Sequence, residues 1–122
     1  MKKGKSKTYY KNQNDKLFSE RIRGRGKCEI SGVSNCRLEC AHIYSRRYIC
    51  IRWNDNNALC LSSAIHRKAH DQPIWFAVKA QEIKGVPALD GLQDKINNLK
   101  ALPISFFISE NTRLKQDKIK NL

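Results

Sequence analysis

The chain has 122 residues, with 24 Lys or Arg against 11 Asp or Glu, a formal net charge of +13, and 40% hydrophobic residues. That length suits one small domain, the apolar fraction suffices for a core, and the basic excess points to a polyanionic partner. No run approaches the roughly 18 or more consecutive apolar residues of a membrane span, and the opening MKKGKSKTYYKNQNDK carries no apolar signal-peptide segment, so a cytoplasmic location is expected.

Residues 1–27 hold ten Lys or Arg against two acids and read as a basic N-terminal arm that lies on phosphates. Gly4, Gly24 and Gly26 add flexibility, and Leu17, Phe18 and Ile22 form one short anchoring helix; the alternative is a solvated, disordered tail. Residues 28–72 carry all five cysteines and all three histidines. Gly32 predicts a tight turn after Cys28. Residues 41–46 (AHIYSR) and 58–61 (ALCL) read as short strands, joined through the loop signal Asn54-Asp55-Asn56-Asn57. Ser62 or Ser63 is a suitable N-cap for a helix through Ala64, Ile65, His66, Ala69 and His70.

Residues 73–122 read as a helical extension packed on that core. Pro73 suits the first turn of a helix that Gly85 stops, with Trp75, Phe76, Val78 and Ile83 as core contacts. Asp90 is placed to cap the next helix, in which Leu92, Ile96 and Leu99 share one face and which Pro103 ends. A last helix starts at Ser105, with Phe107, Leu114 and Ile119 as its apolar contacts.

Chemistry concentrates in the middle segment. His42 opens the first predicted strand, Asn57 follows fifteen residues later, and His66 nine residues after that. His70 lies four residues beyond His66, so the two imidazoles share a helix face and can grip one metal ion from adjacent turns. In a cytoplasmic setting the cysteines Cys28, Cys36, Cys40, Cys50 and Cys60 read as thiols or metal ligands rather than disulfides, which suits their odd number.

A histidine on strand one, an asparagine in the loop and a histidine on the helix, in the run AHIYSRRYICIRWNDNNALCLSSAIHRKAH, resemble the HNH nuclease motif. The segments YSRR, NALCL and HRKAH are similar to those of small phage-encoded HNH proteins, over about residues 28–76. The resemblance implies an α+β fold: a ββα-metal (HNH, His-Me finger) core with a basic N-terminal arm and C-terminal helices. It also implies a metal-dependent DNA endonuclease that hydrolyses phosphodiester bonds. His42 would be the general base, His66 and His70 the metal ligands, and Asn57 the residue that orients the base or holds the loop. Arg46, Arg47, Arg52, Arg67 and Lys68 would contact phosphates.

Two departures from the family pattern matter. The slots for paired zinc knuckles fall at Cys28, Ser31, Ser62 and Ile65, so only one thiolate remains and a structural zinc is not expected. Cys36 and Cys40 are the nearest approach to a displaced site. Ala41 stands where HNH proteins often carry a metal ligand; Cys40 and Glu39 are not obvious replacements, and Asp55 is the candidate in the loop. With two protein ligands and several waters, magnesium is the first expectation, with manganese, nickel or zinc as alternatives. Two other readings remain open: an HNH-fold DNA-binding module that has lost the reaction, and a structural or RNA-binding protein in which the Cys/His cluster is incidental.

Overall fold

A computed structural model describes residues 4–98 and 101–120. The first element is a helix, α1 (Lys7–Arg23). The Ser6 side chain caps it by accepting from the Tyr9 N–H, and Arg21 and Arg23 place positive charge at its negative end. Its buried face is a narrow stripe of Asn14, Phe18 and Ile22, four residues apart. Strand β1 (Leu38–His42) follows, then a one-turn helix α2 (Ile49–Arg52), a 3-10 turn (Asp55–Asn57) and strand β2 (Ala58–Ser62). Helices α3 (Ser63–Asp71), α4 (Pro73–Lys84), α5 (Val86–Asn97) and α6 (Ile104–Lys120) complete the chain.

The two strands pair antiparallel, with Cys40 opposite Cys60 and His42 opposite Ala58. Helices cover both faces of this small sheet, so the architecture is α+β. On one side Ala58 and Cys60 join Phe18, Ile22, Trp53, Phe107 and Leu114 in a core shared with α1 and α6. On the other, Ala41, Leu59 and Leu61 join Cys28, Ala69 and Ala80, with Ile65 and Phe76 packed alongside. Every residue of β2 is therefore buried, which is why ALCL reads as an unbroken apolar run. Between α1 and α6, Asn14 Nδ2 donates to the Phe107 carbonyl at 3.1 Å and accepts at Oδ1 from Asn111 Nδ2 at 2.9 Å, which satisfies both buried amides.

β2, the α3 N-cap at Ser62, and α4 between Pro73 and Gly85 lie where the sequence predicts them. The turn at Gly32 also forms, with a left-handed φ of 79°. Other expectations change. Lys7–Arg23 is a helix packed into the core, not an arm, because Phe18 and Ile22 are 1% and 0% exposed. β1 ends at His42 instead of beginning there, since the Asn57 side chain bonds both backbone groups of Tyr44 and turns the chain away from the ladder. α4 buries Ala80, with Phe76 partly buried against the same cluster, whereas Val78 and Ile83 face outward. α5 starts at Val86, with Pro87 in its first turn, so Asp90 lies inside the helix and does not cap it. Ile119 is exposed, and Leu99 lies outside the described residues.

Because Phe18 fills the space between α1 and the sheet, Phe18→Ala is expected to destabilise the fold by about 3–5 kcal/mol. Urea denaturation followed by circular dichroism measures this; a loss below about 1 kcal/mol would mean that α1 is not part of the core.

Candidate functional site

A cleft of about 810 Å³ lies over β1. Asp15, Lys16, Phe18 and Ser19 of α1 form one wall, and His66, Ala69, His70, Pro73 and Phe76 of α3 and α4 form the other. Cys40, Ala41 and His42 form the floor, with Ile43, Ser45 and Arg46 beyond the strand end. All three histidines of the chain thus open into one space, reached from a strand and from a helix.

His42 is held in a single orientation. Its Nε2 lies 2.9 Å from the Arg52 carbonyl, and the Phe18 ring lies 5.6 Å away between centroids. A carbonyl only accepts, so Nε2 carries the hydrogen and Nδ1 keeps its lone pair. Burial pushes the His42 pKa down, as do the nearby Arg46 and Arg52 charges, against the opposing effects of the Arg52 carbonyl and Asp15. The ring is accordingly neutral near pH 7, the state a proton acceptor requires.

On α3, His66 and His70 lie one turn apart with ring centroids 4.8 Å from each other. His66 Nδ1 is bonded at 2.8 Å to Glu39 Oε1, which leaves Nε2 as its outward nitrogen. Glu39 also accepts from the Ser63 hydroxyl and pairs with Arg37, and these contacts, the His66 bond foremost, hold its carboxyl below the usual range. Two imidazoles sharing one ion at about 2.1 Å per bond would set their centroids roughly 4.6–5.3 Å apart, and the observed pair falls in that interval. The carboxylate behind His66 is the kind of partner that fixes a metal-binding histidine. The spacing of the two rings is that of a pair that would share one ion. Among the described residues no group of three or more His, Cys, Asp or Glu is arranged to hold a metal ion.

Asn57 is 0% exposed and does not line the cleft. Its Oδ1 accepts from the Tyr44 N–H at 2.7 Å, and its Nδ2 donates to the carbonyls of Tyr44 and Ile51 at 3.3 and 3.2 Å. It is the clamp that closes residues 44–51 into a fixed loop below His42. Arg46 lines the cleft with its side chain 58% exposed, while Arg47, Arg67 and Lys68 are also exposed; the Lys68 amine sits 4.3 Å from the Trp75 ring centroid. Arg52 departs from expectation. Its side chain is 11% exposed and its guanidinium is bound by Asp15 at 2.8 and 2.7 Å, so it is a buried structural group and not a phosphate contact. Asp55 is likewise no metal ligand, because Arg21 grips both its oxygens at 2.8 Å on the far side of α1.

The slots expected to hold paired zinc knuckles do converge. The Ser31 N–H lies 3.4 Å from the Cys28 sulfur, and Ile65 packs against the same cluster. Burial pushes the Cys28 thiol up, but the Ser31 hydroxyl and the N–H groups of Ser31, Ser62 and Ile30 bring it down to about 7. Hydrogen bonds to the sulfur and the Ile65 side chain fill the space around Cys28. Cys36 is exposed and bonds the Val33 carbonyl, so it does not combine with Cys40 as a displaced site.

Sequence reasoning passed over Asp15 and set Glu39 aside. Asp15 is one of two acids in the first 27 residues, which is the only signal it carries. Compared with protein-family models, curated proteins and solved structures, the chain gives no match. Among the described residues, no helix is long and apolar enough to cross a membrane.

The depressed His42 pKa has a measurable consequence for stability. The unfolded chain takes up this proton near 6.5, and the folded chain only at lower pH. Stability contributed by neutral His42 is thus present above 6.5, falls as pH drops through 6.5 towards the folded value, and then levels off. The lowered carboxylates Asp15, Glu39 and Asp55 act below their ordinary 3.8, 4.5 and 3.8, so the two windows separate. Urea midpoints measured from pH 7.5 to 5 are expected to show this step in the native chain and a smaller one in His42→Ala. Equal steps in both would assign the titration elsewhere.

Proposed function

We propose that this chain is a metal-dependent DNA endonuclease with a ββα-metal (HNH) core formed by β1, β2 and α3. The observation that carries this reading is the convergence of His42, His66 and His70 on one cleft, with His42 neutral and its Nδ1 free of the Arg52 carbonyl. Two further features support it: a buried Asn57 clamping the loop between the strands, and the remnant knuckle positions meeting around Cys28.

Phosphodiester hydrolysis needs a stronger nucleophile than water and charge neutralisation at the phosphate and leaving oxygen. His42 Nδ1 would accept the proton of the attacking water, with Nε2–H anchored on the Arg52 carbonyl as the imidazolium forms. Burial by Phe18 limits the solvent that competes for that nitrogen. His66 Nε2 and His70 would hold the divalent ion, which when bound supplies positive charge to the phosphate and the leaving oxygen. Imidazole donors suit nickel or zinc, while the water and phosphate oxygens that would complete the shell suit magnesium or manganese, so all four ions belong in the test. Arg46 on the rim, with Arg47, Arg67 and Lys68, would bind phosphates along the duplex. The net charge of +13 favours DNA association that weakens steeply with salt.

Cleavage of supercoiled plasmid with magnesium, manganese, nickel or zinc tests the reading. The native chain is expected to nick or linearise the plasmid only with metal, and His42→Ala to lose about 10²–10⁴-fold in rate with DNA affinity nearly unchanged. His66→Ala is expected to raise the metal concentration needed for half-maximal cleavage. No cleavage with any of these ions, together with salt-sensitive binding, would replace the nuclease by an inactive DNA-binding module of the same fold; equal cleavage by native chain and His42→Ala would remove His42 as the base.

A further inference from the structure

We propose that Asp15, on α1, is a positioning residue for His42: its carboxylate pins the Arg52 carbonyl that decides which imidazole nitrogen is left as the acceptor. In naming His42 a base this rests on the nuclease reading, while the control of its tautomer stands on geometry alone.

The carbonyl that orients His42 belongs to the last residue of α2, a helix of four residues with no side-chain cap. One turn of helix does not hold itself in place. Asn57 holds it at the Ile51 carbonyl and Arg113 at the Trp53 carbonyl, and Asp15 adds the restraint on Arg52 itself. Its Oδ1 accepts from Arg52 Nε at 2.8 Å and from the Trp53 indole at 2.9 Å. Its Oδ2 accepts from Arg52 Nη2 at 2.7 Å and from Arg46 Nη2 at 3.1 Å. Arg52 Nη1 adds a bond to the Arg46 carbonyl at 3.0 Å. The residue bearing the carbonyl, the residue after it and the rim arginine are thus tied to one carboxylate, and Arg52 cannot swing away from His42 without breaking its paired hydrogen bonds.

α1 itself is rigid here. Phe18, three residues beyond Asp15 on the same helix, is buried and lies against the His42 ring. One turn of α1 therefore supplies both the apolar wall of His42 and, through Arg52, the acceptor behind it. The largest other charges bearing on His42 are Arg46 and Arg52, both cations already paired with Asp15, while Lys16 of α1 and His66 and His70 of α3 also line the cleft. Loss of the Asp15 charge would leave two unopposed guanidinium groups near the ring. The Nε2–H form would then share the population with the Nδ1–H form, and His42 would protonate at still lower pH.

The test combines ¹⁵N NMR of the imidazoles with cleavage kinetics for the native chain, Asp15→Asn and Asp15→Glu. The native His42 is expected as the Nε2–H tautomer. Asp15→Asn is expected to mix the tautomers, move the acid limb of the pH–rate profile to lower pH, and reduce the plateau rate by about 10–100-fold. Asp15→Glu should restore part of each. A native Nδ1–H tautomer would overturn the proposal. So would a folded Asp15→Asn whose tautomer and acid limb match the native chain, even with a lower rate, since a merely structural role predicts that pattern. If Asp15→Asn does not fold, Arg52→Lys, which breaks the two-point grip while keeping the charge, is read by the same criteria. If no form cuts DNA but Asp15→Asn still mixes the tautomers, the positioning role holds and the nuclease reading fails.

Discussion

The Asp15 carboxylate and the three donors around it are the joint on which the cleft depends. A half-buried acid in a chain this basic would be costly alone. Burial does push Asp15 up, but the hydrogen bonds from Arg52 and Trp53 and the Arg52 and Arg46 charges outweigh it and hold the carboxyl below its ordinary range. The pairing is reciprocal, because it also allows the Arg52 guanidinium to sit 11% exposed beside the first core cluster. Removing one partner of such a pair typically costs about 3–5 kcal/mol, since the other charge is left buried. α1 is therefore fixed to the inter-strand loop by polar bonds and to the sheet by Phe18 and Ile22.

Asn57 does for the other side of the loop what Asp15 does for its end. A neutral amide can donate and accept at once, so Asn57 bonds the Tyr44 N–H, the Tyr44 carbonyl and the Ile51 carbonyl from one buried position. A carboxylate could not donate, and an apolar residue would orphan these backbone groups in the interior, at about 1–3 kcal/mol each. The loop is consequently held at both ends by one buried side chain. Cys28 is held in a similar way: the backbone of residues 28–33 folds through Gly32, N–H groups of Ile30, Ser31 and Ser62 approach the one sulfur, and Ile65 packs against the same cluster.

How far the sequence was legible follows from these interactions. β2, α3 and α4 were readable because local signals agreed with tertiary burial: an unbroken apolar run, a serine cap, and a proline and glycine at opposite ends. The grouping of the histidines was readable because spacing on a helix survives folding. α1 was not, because its buried stripe consists of one asparagine, one phenylalanine and one isoleucine within a strongly basic segment, and composition alone argued for a tail. The Asn14–Asn111 bond that satisfies this stripe spans 97 residues of sequence. β1 was shifted because its end is set by the Asn57 side chain, fifteen residues away. Arg52 read as a phosphate contact, since nothing local reveals that Asp15 covers it across 37 residues. The histidines that line the cleft stood out as single residues; the acids behind them, Asp15 and Glu39, did not, because each acts across a long separation.

That α1 is a wall of the cleft rather than a tail changes what its charge can do. A flexible basic arm gains phosphate contacts only after its backbone is ordered, at about 1–2 kcal/mol per residue fixed. Lys16 lies on a helix already held by the core and faces the cleft beside Asp15 and Ser19. Its charge is presented on a backbone that is already ordered, so only its side chain remains to be fixed. Arg46 stands between the two regimes: its side chain is 58% exposed on the rim, yet Asp15 restrains its guanidinium at 3.1 Å. On the proposed nuclease reading, a phosphate entering the cleft would compete with Asp15 for Arg46 but not for the better-buried Arg52. The carboxylate would then release the rim arginine while keeping its grip on the residue whose carbonyl meets His42, so phosphate binding and base alignment would meet at one carboxylate without opposing each other.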